Sequence, residues 1–100
     1  MSKPITEQST LERVKEMTRQ ALEREAEKLL SLEKVKDKIS AAAKEGFTRL
    51  AIGSDKGIDL SRTDVGKATA SALRGEGFSI EWEVRHHPDG RSSQVLIVLW

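Results

Sequence analysis

The last 23 residues of the chain, FSIEWEVRHHPDGRSSQVLIVLW, constrain its fold more than any other stretch. Apolar and polar side chains alternate over residues 78–84, which predicts a β-strand with one buried and one solvated face. The segment HPDGR at 87–91 has the proline, aspartate and glycine of a tight turn. Residues 95–100 are apolar at every position, which is typical of a strand that is covered on both faces. We therefore predict a β-hairpin whose second strand needs two covers, one of them from another helix or from a second copy.

A long helical segment is predicted upstream, because residues 11–45 contain neither glycine nor proline and consist largely of strong helix formers. A heptad frame starting at Leu11 is apolar at both ends but places Glu25 and Lys28 in its middle, so a strict two-stranded coiled coil fits poorly. Two interpretations stay open. One is a single, gently kinked helix of ~54 Å. The other is a helical hairpin with a break near Ser31, which is a candidate N-cap.

The remaining elements are short. Gly46 is expected to end the helical segment, and a strand at 47–52 and a polar loop precede a helix whose apolar stripe covers 65–73. The predicted fold is α+β, with a long N-terminal helix or helical hairpin at 1–45 and a β-α-β-β domain at 46–100. A parallel β-α-β step followed by the hairpin would give a three-stranded mixed sheet.

Charge and composition argue against several functional classes. The chain has 17 basic and 16 acidic residues, whereas proteins that bind nucleic acid by bulk charge have a clear basic excess. Two phenylalanines and two tryptophans are too few for an array of base-stacking platforms. The absence of cysteine excludes disulfides and thiolate metal sites. The sequence has neither an apolar leader nor a membrane-spanning run, so we expect a cytoplasmic protein without membrane contact.

Basic residues of the 53–62 loop and of the hairpin turn form a candidate site for an anionic ligand, either a nucleotide or a nucleic acid. These residues are Lys56, Arg62, Arg85, His87 and Arg91. A loop between a strand and a helix N-terminus can bind phosphate, but this one lacks a phosphate-binding motif, and a solvated charged face explains the same residues. The adjacent His86 and His87 point to opposite faces of a regular strand and so cannot chelate one metal ion. We predict no catalytic residue, metal site or cofactor.

Apolar residues of the long helix and the last strand are candidate interface residues. A helix of this length would extend beyond a domain with a radius of gyration of ~13 Å and leave its N-terminal apolar residues uncovered. A helical hairpin that closed on itself would bury them instead. The candidates are Leu11, Val14, Met17, Leu22, Leu29, Leu96, Val98 and Trp100. The sequence thus favours a non-enzymatic, oligomerising assembly or interaction protein, with the anionic-ligand module as the alternative.

Two segments, AAAKEGFTRLAI and LRGEGFSIEWEV, are followed by a strand that ends in Trp100. In this respect residues 39–100 resemble small proteins encoded in tailed-phage genomes, which typically have an Ala-rich helix ending in Gly, a strand, a short helix and a closing hairpin. The resemblance implies a virion component or an accessory protein, located in the virion or the host cytoplasm. It implies no catalytic residue.

Overall fold

The computed structural model describes residues 3–100, with side chains from Thr10 onward, so the first two residues of the predicted 1–45 segment lie outside the described part. Six elements follow one another within it: α1 Lys3–Leu30, α2 Leu32–Lys44, β1 Arg49–Ile52, α3 Asp64–Gly75, β2 Ser79–His86 and β3 Ser92–Leu99. The predicted α+β class, with a long helical segment ahead of a three-stranded sheet, is confirmed.

The sheet is antiparallel throughout, with the strand order β1-β3-β2. The predicted mixed sheet is therefore wrong. β1 and β2 run in the same direction, but β3 lies between them, so no parallel pair forms. The central position suits β3 because its apolar side chains exclude water from both faces, so its polar backbone groups need ladder hydrogen bonds on both sides. The short β1 and the charged β2 occupy the edges.

The helices pack against one face of this sheet. Leu96 and Val98 of β3 are fully buried there. They share a core cluster with Ala26, Leu30, Val35, Ile39, Ile52, Leu60, Ala70, Leu73 and Ile80. Val95 and Ile97 point to the opposite face and lie outside that cluster, yet they too are buried. Their cross-strand neighbours on this face are Ala51, Glu81 and Glu83, so the side chains of flanking strands supply the second cover that the sequence had assigned to another helix or copy.

The helical segment is interrupted at Ser31, whose extended backbone (φ −58°, ψ 142°) separates α1 from α2. The break lies at the residue that the second sequence interpretation named, but the Ser31 side chain makes no capping hydrogen bond. The last carbonyls of α1 are bound from elsewhere instead. The buried Thr69 Oγ1 of α3 donates to the carbonyl oxygen of Leu30 at 2.6 Å, and Lys34 Nζ donates to that of Lys28 at 3.2 Å. The bend is therefore held by a tertiary contact with α3.

Two helices end in the same way. Gly46 after α2 and Gly77 after α3 have φ values of 91° and 101°, which the absence of a side chain permits. In each case the next residue, Phe47 or Phe78, donates its backbone N–H back to the helix, at 3.0 and 3.1 Å. The two turns redirect the chain from helix into β1 and β2.

Candidate interaction surface

The C-terminal half of α1 is fastened to the rest of the protein by two glutamates. Glu23 accepts hydrogen bonds from the backbone N–H groups of Asp64 at 2.7 Å and Val65 at 3.4 Å, at the N-terminus of α3. A carboxylate is favourable there because the first N–H groups of a helix are unpaired and carry partial positive charge. The same helix end is capped locally by Thr63, whose Oγ1 accepts from the N–H of Gly66 at 3.0 Å.

The second glutamate, Glu25, holds the loop that follows β1. Its carboxylate accepts from Lys56 Nζ and from the hydroxyl of the buried Ser54, both at 3.2 Å. The hydrogen bond from Lys56 lowers the pKa of Glu25, and the hydroxyl of Ser54 acts in the same direction. Glu23 and Glu25 together tie α1 to the N-terminus of α3 and to the loop that follows β1.

The N-terminal half of α1 extends beyond these contacts. Every residue from 10 to 21 is exposed. The molecule measures 64 × 31 × 17 Å, and its radius of gyration of 16.8 Å exceeds the ~13 Å of a compact domain of 100 residues. This overhang is long enough to contact another molecule without disturbing the core.

Three apolar residues of the overhang form what we call the α1 stripe: Leu11, Val14 and Met17. Their exposed fractions are 53%, 51% and 59%. Farther along α1, Leu22 and Leu29 are half-buried and pack against the core cluster, so the apolar surface runs from solvent into the interior. The helical-hairpin alternative, in which α2 buries the stripe, is therefore wrong.

The polar residues of the overhang are close to neutral in sum. Over residues 10–21 the basic side chains are Arg13, Lys15 and Arg19, and the acidic ones are Glu12 and Glu16. Arg19 and Glu16 pair with each other, and Gln20 donates to the same carboxylate at 3.0 Å. The overhang therefore has no strong field that would select an oppositely charged partner or repel a copy of itself.

The predicted interface residues have different environments. The α1 stripe and Trp100 are exposed, and the ring of Trp100 packs edge-on against Phe78 at 6.3 Å between centroids. Leu96 and Val98 are buried against the chain's own helices, so they are not available as contact residues. An apolar strand can be covered by its own chain when it lies at the centre of a sheet.

The predicted ligand-binding residues lie in two places. The hairpin turn and the 53–57 loop meet, since Arg91 Nη1 donates to the carbonyl oxygen of Lys56 at 3.0 Å. Near this contact, Arg85 and His87 line an open cleft of about 330 Å³. Arg62 is elsewhere and lines a separate groove of about 250 Å³ between α1 and the loop before α3.

Carboxylates compensate the charge of these basic residues. The pairs are Lys56–Glu25 at 3.2 Å, Arg62–Asp59 at 3.9 Å, Arg85–Glu83 at 3.2 Å and Arg91–Asp89 at 2.6 Å. The imidazole of His87 lies 3.1 Å from the hydroxyl of the buried Ser93. Among the residues that the structure describes, no cluster of three or more His, Asp or Glu side chains could hold a metal ion.

Sequence reasoning missed the exposed C-terminal half of β2. Val84 continues the apolar alternation of the strand and was assigned to its buried face, yet it is 48% exposed. The sequence held no signal for this exposure, because the position of β2 at the edge of the sheet depends on how β1 pairs.

Comparisons of the chain with protein-family models, with curated proteins and with solved structures found no match. No described helix combines the length and the apolar character that crossing a membrane requires.

Proposed function

We propose that this protein is a non-enzymatic assembly protein that associates with a second copy of itself through the α1 stripe. The observation that carries the proposal is the overhang, because three large apolar side chains on one side of a projecting helix are each about half exposed. In a single molecule these side chains are in contact with water, which is unfavourable for apolar surface. A second helix packed along them would bury that surface and stabilise the dimer.

A second copy fits this surface better than a charged partner does. The overhang carries three basic and two acidic residues, so two copies neither repel nor attract each other strongly. The residues of the stripe are spaced by three, at 11, 14 and 17, so they lie along one side of the helix. The same side of a second copy can therefore pack against them. Residues 39–100 resemble small tailed-phage proteins, many of which are virion components or accessory proteins, and a role as a virion component would be consistent with this proposal.

The anionic-ligand alternative has less support. Each of its four lysine and arginine residues lies within 4.0 Å of a carboxylate oxygen, so the positive charge that an anion would meet is partly compensated at every one of them. The open cleft beside Arg85 and His87 also contains Asp55, which opposes an anion. Salt-dependent binding of an anionic ligand that is lost in Arg85→Ala would favour the alternative.

The expected dimer is weak. Burying a large apolar side chain fully is worth about 1.5–3 kcal/mol, so six half-exposed side chains in two copies contribute roughly 5–9 kcal/mol. Association itself costs about 4–15 kcal/mol, which offsets much of this gain. At most about 5 kcal/mol of net binding free energy remains, which corresponds to a dissociation constant of about 0.2 mM or weaker.

The test is sedimentation equilibrium of the wild type and of the double variant Leu11→Gln/Val14→Gln. Glutamine is uncharged and forms helices about as well as leucine, so the change removes apolar surface and little else. We expect the wild-type mass to rise above the 11.1 kDa of one chain as the concentration increases, and the variant to associate much less.

The matched control is Glu12→Gln/Arg13→Gln, which places two glutamines in the same helical turn, off the stripe, and leaves the net charge unchanged. This control should associate as the wild type does. The proposal is overturned if the wild type stays monomeric up to about 1 mM, or if Leu11→Gln/Val14→Gln associates as strongly as the wild type.

A further inference from the structure

The outer edge of β2 has backbone groups with no strand beside them. His87 N donates to the carbonyl oxygen of Arg91 at 2.8 Å, which makes residues 87 and 91 a hydrogen-bonded pair in the hairpin register. Such pairs recur at every second position of an antiparallel ladder. The odd-numbered residues of β2 therefore bond to β3, and the N–H and C=O groups of its even-numbered residues point outward.

One of the outward groups is already bound. Arg74 of α3 reaches over the edge and donates to the carbonyl oxygen of Ile80 at 3.4 Å. The next outward-pointing residues are Trp82, Val84 and His86, and within residues 10–100 no backbone group pairs with this edge of the strand. Val84, at the middle of this open segment, is also the most exposed large apolar residue of the sheet strands.

We infer that this open edge pairs, antiparallel, with the same edge of a second copy of the chain, and that the two sheets join into one of six strands. The pairing places Val84 opposite Val84 of the second copy, and Trp82 opposite its His86. All six outward N–H and C=O groups of each copy's open segment are then paired. This interface is separate from the α1 stripe and does not depend on it.

Charge selects this register. With Val84 on the symmetry axis, Glu83 lies opposite Arg85 of the second copy, and the reciprocal pair forms as well. Opposite charges directly across an antiparallel pair are stabilising, and like charges are destabilising. Because Glu83 and Arg85 already lie 3.2 Å apart within one strand, the two copies would form a network of four alternating charges.

The neighbouring registers are worse. Shifting the axis to residue 83 places Glu83 opposite Glu83 of the second copy. This register also requires the carbonyl oxygen of Ile80 to accept a hydrogen bond from the second copy, but Arg74 already donates to that oxygen. Shifting it to residue 85 places Arg85 opposite Arg85, and Trp82 opposite Pro88, which has no N–H to donate. The edge is thus bounded by Arg74 at one end and by Pro88 at the other. The segment between them is complementary to itself, which identifies the occupant as a second copy and not a foreign strand.

The experiment uses charge reversal in the full chain carrying Leu11→Gln/Val14→Gln, so that the α1 stripe contributes little to association. The added variants are Glu83→Arg, Arg85→Glu and the double reversal. Each single reversal places like charges opposite one another and should weaken dimerisation about tenfold, whereas the double reversal restores opposite charges and should restore dimerisation. If the pairing were instead centred on residue 83, the double reversal would place arginine opposite arginine at the symmetry axis, and dimerisation would not be restored.

A second measurement does not depend on any substitution at the edge. The amide proton of Val84 points outward and should exchange rapidly with solvent in the monomer, and more slowly as the protein concentration rises. The amides of Glu83 and Arg85 bond to β3 and should be protected at all concentrations, so they serve as internal controls. The inference is overturned if Val84 exchanges rapidly at every concentration, or if the double reversal associates no better than the single ones.

Discussion

Two glycines of α3 should respond in opposite ways to the same substitution. Gly66 and Gly75 both lie within the helix, and helix propensity alone predicts that alanine would stabilise either position by up to about 1 kcal/mol. The structure separates them. A Cβ built on Gly75 meets nothing within 4 Å, whereas one built on Gly66 would lie 2.6 Å from the carbonyl oxygen of Leu60 and 2.8 Å from Thr63 Oγ1.

The cost at Gly66 has two parts. The clash is with a backbone oxygen and cannot be relieved by rotating a flexible side chain, so overpacking should cost about 1–3 kcal/mol. Thr63 Oγ1 is also the N-cap of α3, and displacing it should cost about 1 kcal/mol more. After the propensity gain is subtracted, Gly66→Ala is expected to destabilise by about 1–3 kcal/mol. Gly75→Ala should stabilise by about 0.4–1 kcal/mol.

Urea denaturation at a low protein concentration measures both changes on one scale, and thermal unfolding gives an independent check. A shift of roughly 4–8 °C in Tm is expected per kcal/mol for a domain of this size. The two variants should therefore differ clearly and in opposite directions from the wild type. If Gly66→Ala is as stable as the wild type or more stable, the backbone of Gly66 does not lie close enough to the Leu60 carbonyl oxygen to exclude a methyl group.

Two further predictions concern the contacts that hold α1. Because the hydrogen bond from a loop lysine lowers the pKa of Glu25 in the folded protein, its stabilisation is fully present above the pKa of the unfolded chain and is lost as the pH falls through the folded value. Glu25→Gln should therefore cost about 1 kcal/mol at pH 7 and less in acid when unfolding is followed by urea titration, and a cost that did not change with pH would contradict this cause. Thr69→Val should lower the free energy of unfolding by about 1–3 kcal/mol in the same assay, because it leaves the Leu30 carbonyl oxygen without its buried donor. The control is Thr48→Val at an exposed position, and an equal loss of stability there would contradict that cause.

Local patterns were sufficient for the hairpin and for the ends of the helices. The alternation before His87 and the HPDGR turn fix two strands that are neighbours in the chain, and Gly46 marks a helix end whatever surrounds it. Local patterns could not predict where β1 lies in the sheet. Whether β1 pairs with β2 or β3 depends on which strand occupies the centre, and the apolar run of β3 is compatible with a buried strand in several strand orders.

The candidate surfaces also differ in whether local patterns in the sequence could predict them. The exposure of the α1 stripe followed from helix length, because a helix longer than the domain must extend beyond it. Its role as an interface stays a prediction. The open edge of β2 could not be read from the sequence, since it exists only because β1 pairs with the other side of β3. Likewise, nothing in the sequence distinguishes Glu23 and Glu25 from ordinary exposed helix residues, because their partners at the N-terminus of α3 and in the loop after β1 are distant along the chain.

The antiparallel pairing of β1 with β3 also has a consequence for the order of folding. Its partners, from Ile52↔Leu96 to Arg49↔Leu99, are 44 to 50 positions apart along the chain, whereas β2 and β3 are joined by a short turn. Closing the longer loop costs more chain entropy, so the hairpin should form before β1 is added. Until β1 docks, β3 has a free edge of its own. During that interval the most apolar strand of the protein is open to pairing with other chains, and this late step is where misassembly would begin.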